Sequence, residues 1–465
     1  MNIHKFISFS IGPIVAAALS FVTIPFVAWF FSTEDVGRLT MLQAVTTLSV
    51  SFFSLSMHQA YVREYNEVVD KSLLFKLSIT PGLILLILTS LIIVFLPYSI
   101  SEFLFGINSS FLVFLLVLSI YSGFFINFFS HVIRMEERGL VFSATQIAPK
   151  AFLLIFICFL IIFNIDESFN VLMAMSTLSI FISAVVFSYF TINTWHKSLN
   201  EKLNFATLRQ MLTFSLPLVA GSLAYWGLTT MDRFFLRSLV GFNELGVYAL
   251  AVSLASAVSV ISSLFTNLWH PILYKWVKEG LNINKIQSVS EVMIVFISFV
   301  WSLVALFSYV LNFLLPSEYD AVRYLIIPCV AMPLFVLLSE TTSVGIGISR
   351  KSLYSMFASI LAFLTNAILN YFFIPNYGAA GASLATLIAF FVFFIFKTES
   401  SSKLWVSLPR LKIYAICLAY SIATIIFVLN KGEIKGYYIV WILLLFTTCL
   451  LYRRRLEEII KHKRL

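Results

Sequence analysis

The chain has 465 residues, of which 60% are hydrophobic, 49 are Phe and only 11% are charged. A water-soluble globular protein carries about 25% charged residues and about half apolar ones, so this composition excludes a soluble enzyme or soluble binding module and makes the bilayer the solvent. The formal net charge of +9 follows from where the cations fall, and a nucleic-acid partner is not needed to explain it.

A span needs about 20 apolar residues to cross roughly 30 Å of hydrocarbon, with every backbone group satisfied inside the helix. That rule predicts an all-α polytopic membrane protein of about fourteen helices, at 8–31, 39–60, 74–97, 111–133, 141–163, 169–193, 211–232, 245–270, 290–315, 323–348, 353–374, 378–396, 411–429 and 437–452. The first is expected to remain a span rather than a cleaved leader, since the apolar run continues past Ala16-Ala17-Ala18 to Phe31. Pro25, Pro149, Pro328 and Pro333 fall inside predicted helices, remove a backbone donor each and are expected to kink them. Trp29, Trp195, Trp269, Trp276 and Trp405 fall near span ends and read as interfacial anchors. Tyr225, Trp226 and Trp301 lie nearer mid-span; stacking on sugar rings is one use for them and packing is the favoured one. Cys158, Cys329, Cys417 and Cys449 sit in apolar runs without paired spacing and read as packing residues.

The sequence repeats itself. Pro217-Leu218-Val219-Ala220-Gly221-Ser222-Leu223-Ala224 matches Pro13-Ile14-Val15-Ala16-Ala17-Ala18-Leu19-Ser20, Asn243-Glu244-Leu245-Gly246 matches Glu34-Asp35-Val36-Gly37, and Ser263-Leu264 falls where Ser54-Leu55 fell, the spacing growing from 204 to 209. An internal repeat in a polytopic membrane protein marks a transporter. The expected organisation is an N-lobe at 1–193, a linker at 194–210, a C-lobe at 211–398, and two further helices with a basic tail at 399–465. Counted generously, with residues inside the adjoining helices such as Lys150 included, 25 of the 31 Lys and Arg fall on one side of the membrane and six on the other. By the positive-inside rule both termini are cytoplasmic. The C-terminal Arg453, Arg454, Arg455, Lys461, Lys463 and Arg464 then sit against anionic headgroups.

An ionisable residue at bilayer depth costs several kcal/mol unless it meets a wet cavity or a partner. Lys150 lies about ten residues, roughly 15 Å, into its helix, one residue after Pro149. It reads as a cavity-facing cation for an anionic substrate, or as a structural partner of a buried polar group. His131 and Arg134 share a helix face, with His58 and Arg63 near the same end of the second helix. They make the first lobe's cavity positive or are ordinary positive-inside charge. In the second lobe Asp232, Asn370 and Thr386 fall in the outer half of the membrane, with Asn366 one turn from Asn370. One carboxylate plus neutral oxygens suits a sodium site, or Asp232 carries a proton or pairs with Arg233 or Arg237. Glu340 is expected to pair with Arg350 or Lys351. There is no Gly-rich phosphate loop and no metal-spaced His/Cys/Asp cluster, so no enzyme is expected and no cofactor beyond a coupling ion.

Met231-Asp232-Arg233-Phe234-Phe235-Leu236 with Gly246-Val247-Tyr248-Ala249-Leu250-Ala251, and Ile374-Pro375-Asn376-Tyr377-Gly378-Ala379-Ala380-Gly381-Ala382-Ser383-Leu384-Ala385-Thr386, resemble the signatures of the Wzx-type polysaccharide-export (O-antigen) flippases, in the superfamily that also holds the MATE exporters and MurJ. The resemblance covers about residues 1–398 and implies a MATE-like fold of two six-helix lobes in a bacterial cytoplasmic membrane. It implies transport of an undecaprenyl-diphosphate-linked oligosaccharide to the outer leaflet by alternating access, coupled to sodium or proton entry, alongside polysaccharide polymerase machinery. It places the diphosphate on the basic first lobe and sodium at Asp232, Asn370 and Thr386. Ile374 departs from the pattern, standing where a second carboxylate is expected. Two other readings stand beside it: a MATE-type exporter of cationic drugs, against which Lys150 argues, and a membrane-embedded polysaccharide polymerase or ligase, against which the short outward loops argue.

Overall fold

In the computed structural model, residues 3–95, 97–164, 168–280, 283–455 and 457 are described; Lys461, Lys463 and Arg464 of the basic tail lie outside them. Among the described residues the regular elements are all helical, as apolar surroundings demand of a chain that must satisfy its own backbone. By compactness the chain divides into two units, Met1–Arg233 and Phe234–Leu465. The first holds α1 (Ile3–Phe30), α2 (Thr33–Phe53), α3 (Met57–Glu64), α4 (Lys71–Phe95), α5 (Pro97–Phe105), α6 (Ser110–Met135), α7 (Gly139–Phe163), α8 (Phe169–Phe190), α9 (Ile192–Ser198) and α10 (Phe205–Thr230). The short α11 (Asp232–Leu239) spans the division. The second holds α12 (Phe242–Ala255), α13 (Ala257–Lys278), α14 (Ile283–Phe307), α15 (Leu311–Leu314), α16 (Val322–Thr342), α17 (Val344–Ile348), α18 (Leu353–Leu404), α19 (Leu411–Leu429) and α20 (Tyr438–Leu451).

Eleven helices among the described residues are long and apolar enough to cross a membrane, or twelve if the bent pair α2 and α3 is one span. Two features separate this number from the expected fourteen. The helices expected at 353–374 and 378–396 are both present, as two arms of α18 that meet at Gly378 (φ 53°, ψ −130°), and they are taken as one in that number. The last helix, α20, has only 14 residues, short of the roughly 20 a span needs.

In the first unit α1 lies along α7 through small residues. Gly12 N–H donates to Ser143 Oγ at 3.0 Å, Ser143 Oγ donates to the Ser8 carbonyl at 2.5 Å, and a Cβ on Gly12 would come within 2.8 Å of Ser143 Cα. Between membrane helices, where burial in lipid drives nothing, such close approach is what holds a pair. In the same unit α10 packs on α2 and α3. There Trp226 Nε1 donates to Thr47 Oγ1 at 3.2 Å and Ser215 Oγ to Met57 Sδ at 3.1 Å.

The centre of the second unit is α16, packed by α12, α13, α14, α18 and α19. Trp301 of α14 is buried between Phe335 of α16, at 5.6 Å, and Tyr420 of α19, at 5.5 Å. Tyr420 in turn stacks toward Trp441 of α20, at 6.2 Å, and its hydroxyl lies 2.8 Å from Ser302 Oγ. Trp301 is thus a packing residue, and the two C-terminal helices, outside the sequence repeat, are bound into this unit's core. Trp269 corrects an expectation: it is buried, not interfacial, its Nε1 donating to the Glu340 carbonyl at 2.9 Å. Glu340 itself pairs with His270 (2.9 Å) and Lys397 (3.5 Å) rather than with Arg350 or Lys351. Its carboxylate sits among α13 and α18, which bring those two partners closer than the loop that follows α17.

Candidate functional site

The first unit's basic residues are placed by a broken helix that periodicity did not reveal. Between α2 and α3 the chain bends by 51°, with Leu55 and Ser56 both left-handed at φ 48° and 54°. Non-glycine residues rarely hold that conformation, and neighbours must over-determine it. Gly82 of α4 presses on the break so closely that any Cβ would strike the Phe53 carbonyl, and Ser56 Oγ reaches Ser222 Oγ of α10 at 3.4 Å. The break carries α3 across α6 and sets His58 against His131, ring centroids 4.7 Å apart. His131 Nδ1 lies 2.8 Å from the Asn127 carbonyl. His58 Nδ1 is buried without a hydrogen-bond partner among the described residues.

Arg63 and Arg134 do not join that pair. The Arg63 guanidinium sits 4.4 Å over the Phe214 ring and 3.5 Å from Glu64, and that of Arg134 lies 5.9 Å over Phe142 at the foot of α7. Both are exposed, and their planar cations on aromatic faces keep charge available at modest cost.

Lys150 is the twelfth of the 25 residues of α7, roughly 17 Å along it. Its Nζ donates to the Ala16 carbonyl of α1 at 3.1 Å, an oxygen that also accepts the Ser20 hydroxyl at 2.9 Å. Among the described residues no carboxylate pairs with Lys150, and no hydrogen bond or ion pair joins it to the other four basic residues.

In the second unit the structure brings Asn370 and Thr386 together through Asn366. Asn370 Nδ2 donates to Asn366 Oδ1 at 2.8 Å, Asn366 Nδ2 donates to Thr386 Oγ1 at 3.2 Å, and the Tyr248 hydroxyl lies 3.5 Å from that same Oγ1. All four are buried. Asparagines four residues apart on one helix face meet by helical geometry. Tyr248 was missed as part of this chain, although it stands in the motif that carried the family resemblance. Ile374, one turn beyond Asn370, is fully buried. These neutral oxygens fit a monovalent cation better than a divalent one, which wants several carboxylates. Asp232 is buried at the start of α11, in the first unit. No group of three or more His, Cys, Asp or Glu side chains is placed to hold a metal ion among the described residues.

The family model described as polysaccharide biosynthesis protein matches residues 3–276. The chain belongs to that family. Among solved structures, it is similar to "Lipid II flippase MurJ, inward closed conformation", with a TM-score of 0.67 and 16% identity over 97% of this chain and 99% of the other. It is similar also to a multidrug resistance MATE transporter of the MOP superfamily in an inward-facing conformation, with a TM-score of 0.60 and 13% identity over 87% and 96%. A MOP superfamily transporter from Pyrococcus furiosus gives a TM-score of 0.52 and 12% identity over 86% and 96%. No curated protein matches by sequence. At these identities the structures speak for the fold: this member of the polysaccharide biosynthesis protein family is built as MurJ and the MATE transporters are. The expected MATE-like fold is met by these structures, and the expected link to polysaccharide by the family model.

Proposed function

We propose that this protein flips an undecaprenyl-diphosphate-linked oligosaccharide, an O-antigen or similar surface polysaccharide unit, from the inner to the outer leaflet of a bacterial cytoplasmic membrane. Both termini lie on the cytoplasmic side in this reading, and the repeat halves at 1–193 and 211–398 work by alternating access. The observation that carries it is Lys150: a cation midway along an apolar helix, held by a backbone carbonyl and by no carboxylate among the described residues. Such a charge is expensive in hydrocarbon unless an anion or water meets it, and a diphosphate supplies the anion. Arg63, Arg134 and the His58–His131 pair stand in the same unit as further donors to phosphate oxygens.

Coupling in this reading is by sodium or proton entry. Asp232 in the first unit would carry a proton, or the oxygens of Asn370 and Thr386 in the second, bridged by Asn366, would hold a sodium ion. A drug exporter for cations is disfavoured by the same basic residues.

Deletion of the gene, followed by analysis of lipid-linked glycans and surface polysaccharide, tests the reading. Loss of surface polysaccharide with accumulation of the inner-leaflet lipid-linked unit is expected. Normal surface polysaccharide with no accumulation overturns it.

A further inference from the structure

The second unit holds a concave site at the ends of α19 and α20 that the transport reading does not use. It is a cavity of about 600 Å³ lined by Arg410, Lys412, Arg453, Arg454 and Arg455. Three of these cations are already neutralised. Arg410 pairs with Glu399 (Nη2 to Oε2, 2.9 Å), Arg453 with Glu457 (2.7 Å), and Arg455 with Glu291 (2.7 Å), whose other oxygen accepts Gln287 Nε2 at 2.7 Å. Lys412 and Arg454 have no ion pair among the described residues, which leaves the cavity two charges positive.

Its other wall is apolar. Leu411 opens α19, Leu450 and Leu451 close α20, and all three are exposed large hydrophobics. Two spare cations beside exposed leucines, at the point where apolar helices end, match a molecule with a phosphate at one end and hydrocarbon at the other. A free phosphate would use the cations and leave the leucines bare. The pairs with Glu291 and Glu399 fix the two flanking guanidiniums, so the site is shaped in advance rather than assembled by long mobile side chains.

We propose that this cavity binds the phosphate headgroup of an anionic phospholipid, with Lys412 and Arg454 on the phosphate and an acyl chain along Leu411, Leu450 and Leu451. The site lies wholly within the second unit and does not depend on the substrate proposed above.

The full chain, reconstituted in phosphatidylcholine nanodiscs doped with phosphatidylglycerol and then examined by native mass spectrometry, provides the test. Wild type should retain phosphatidylglycerol in preference to phosphatidylcholine. The double variant Lys412→Ala, Arg454→Ala should lose that preference roughly tenfold or more, and Lys412→Arg, Arg454→Lys should keep it within about twofold, as expected for two near-surface cations. Lys412→Gln alone should give an intermediate loss and serves if the double variant does not fold. Equal retention of both lipids by wild type, or full retention by the alanine variant, overturns the site. Displacement of phosphatidylglycerol by inorganic pyrophosphate makes it a free-phosphate site and overturns the lipid assignment.

Discussion

Glu244 Oε2 accepts the backbone N–H of Ala379 at 2.8 Å, so a carboxylate from the first turn of α12 caps the second arm of α18 where Gly378 breaks it. The carboxylate meets an unsatisfied donor at the positive end of a helix dipole. A Cβ on Gly378 would lie 2.5 Å from that same oxygen, on a backbone at φ 53° that L-residues avoid.

Gly378→Ala should therefore destabilise the protein by about 1–3 kcal/mol, and Glu244→Gln by less, about 1 kcal/mol at most because Glu244 is exposed. Thermal unfolding of the purified protein in detergent measures both. An unchanged melting temperature for Gly378→Ala would mean that the break is not imposed by this residue.

Lys150→Ala should abolish export while Lys150→Arg partly retains it, because the role assigned here is charge at that depth. Surface polysaccharide, normalised to the amount of protein in the membrane, is the readout. Equal activity in the two variants would leave Lys150 as a strut to the Ala16 carbonyl and nothing more.

If Asn370 and Thr386 hold sodium, the wild-type melting temperature should rise in NaCl relative to KCl at equal ionic strength, by mass action on the folded state. Asn370→Ala and Thr386→Val should remove that difference. Losing one buried hydrogen bond of the Asn370–Asn366–Thr386 chain should itself cost about 1 kcal/mol. A sodium effect that survives both substitutions places the ion elsewhere.

Glu340 is held between His270 and Lys397, the Lys and Glu side chains both largely buried. Glu340→Gln should destabilise by on the order of 3 kcal/mol, since it leaves Lys397 without its counter-charge. Glu340→Gln combined with Lys397→Met should recover part of that loss. Strict additivity of the two changes in unfolding experiments would show that the pair is not coupled.

Hydrophobic run length was enough to read an all-helical membrane protein, since no other secondary structure satisfies its backbone in lipid at these lengths. The Gly378 motif and the pair Asn366 and Asn370 were legible for a similar reason: a glycine between apolar runs and two amides one helical turn apart act through local geometry. The α2–α3 break was not legible. Leu55 and Ser56 carry no turn signature, and their left-handed backbone lies where Gly82 meets the Phe53 carbonyl and Ser222 meets Ser56, contacts that join residues 29 and 166 apart in sequence. Without that break His58 belongs to a straight span and has no reason to face His131. Partner choice was equally out of reach: Glu340 has Arg350 and Lys351 nearby in sequence, yet it meets His270 and Lys397 because helix packing, not chain distance, decides which charges touch. The sequence by itself therefore determined the solvent, the helices and the types of group available for chemistry, through period and composition. Only the tertiary structure decided where helices break and which polar groups share a site, because those outcomes depend on contacts between residues far apart along the chain.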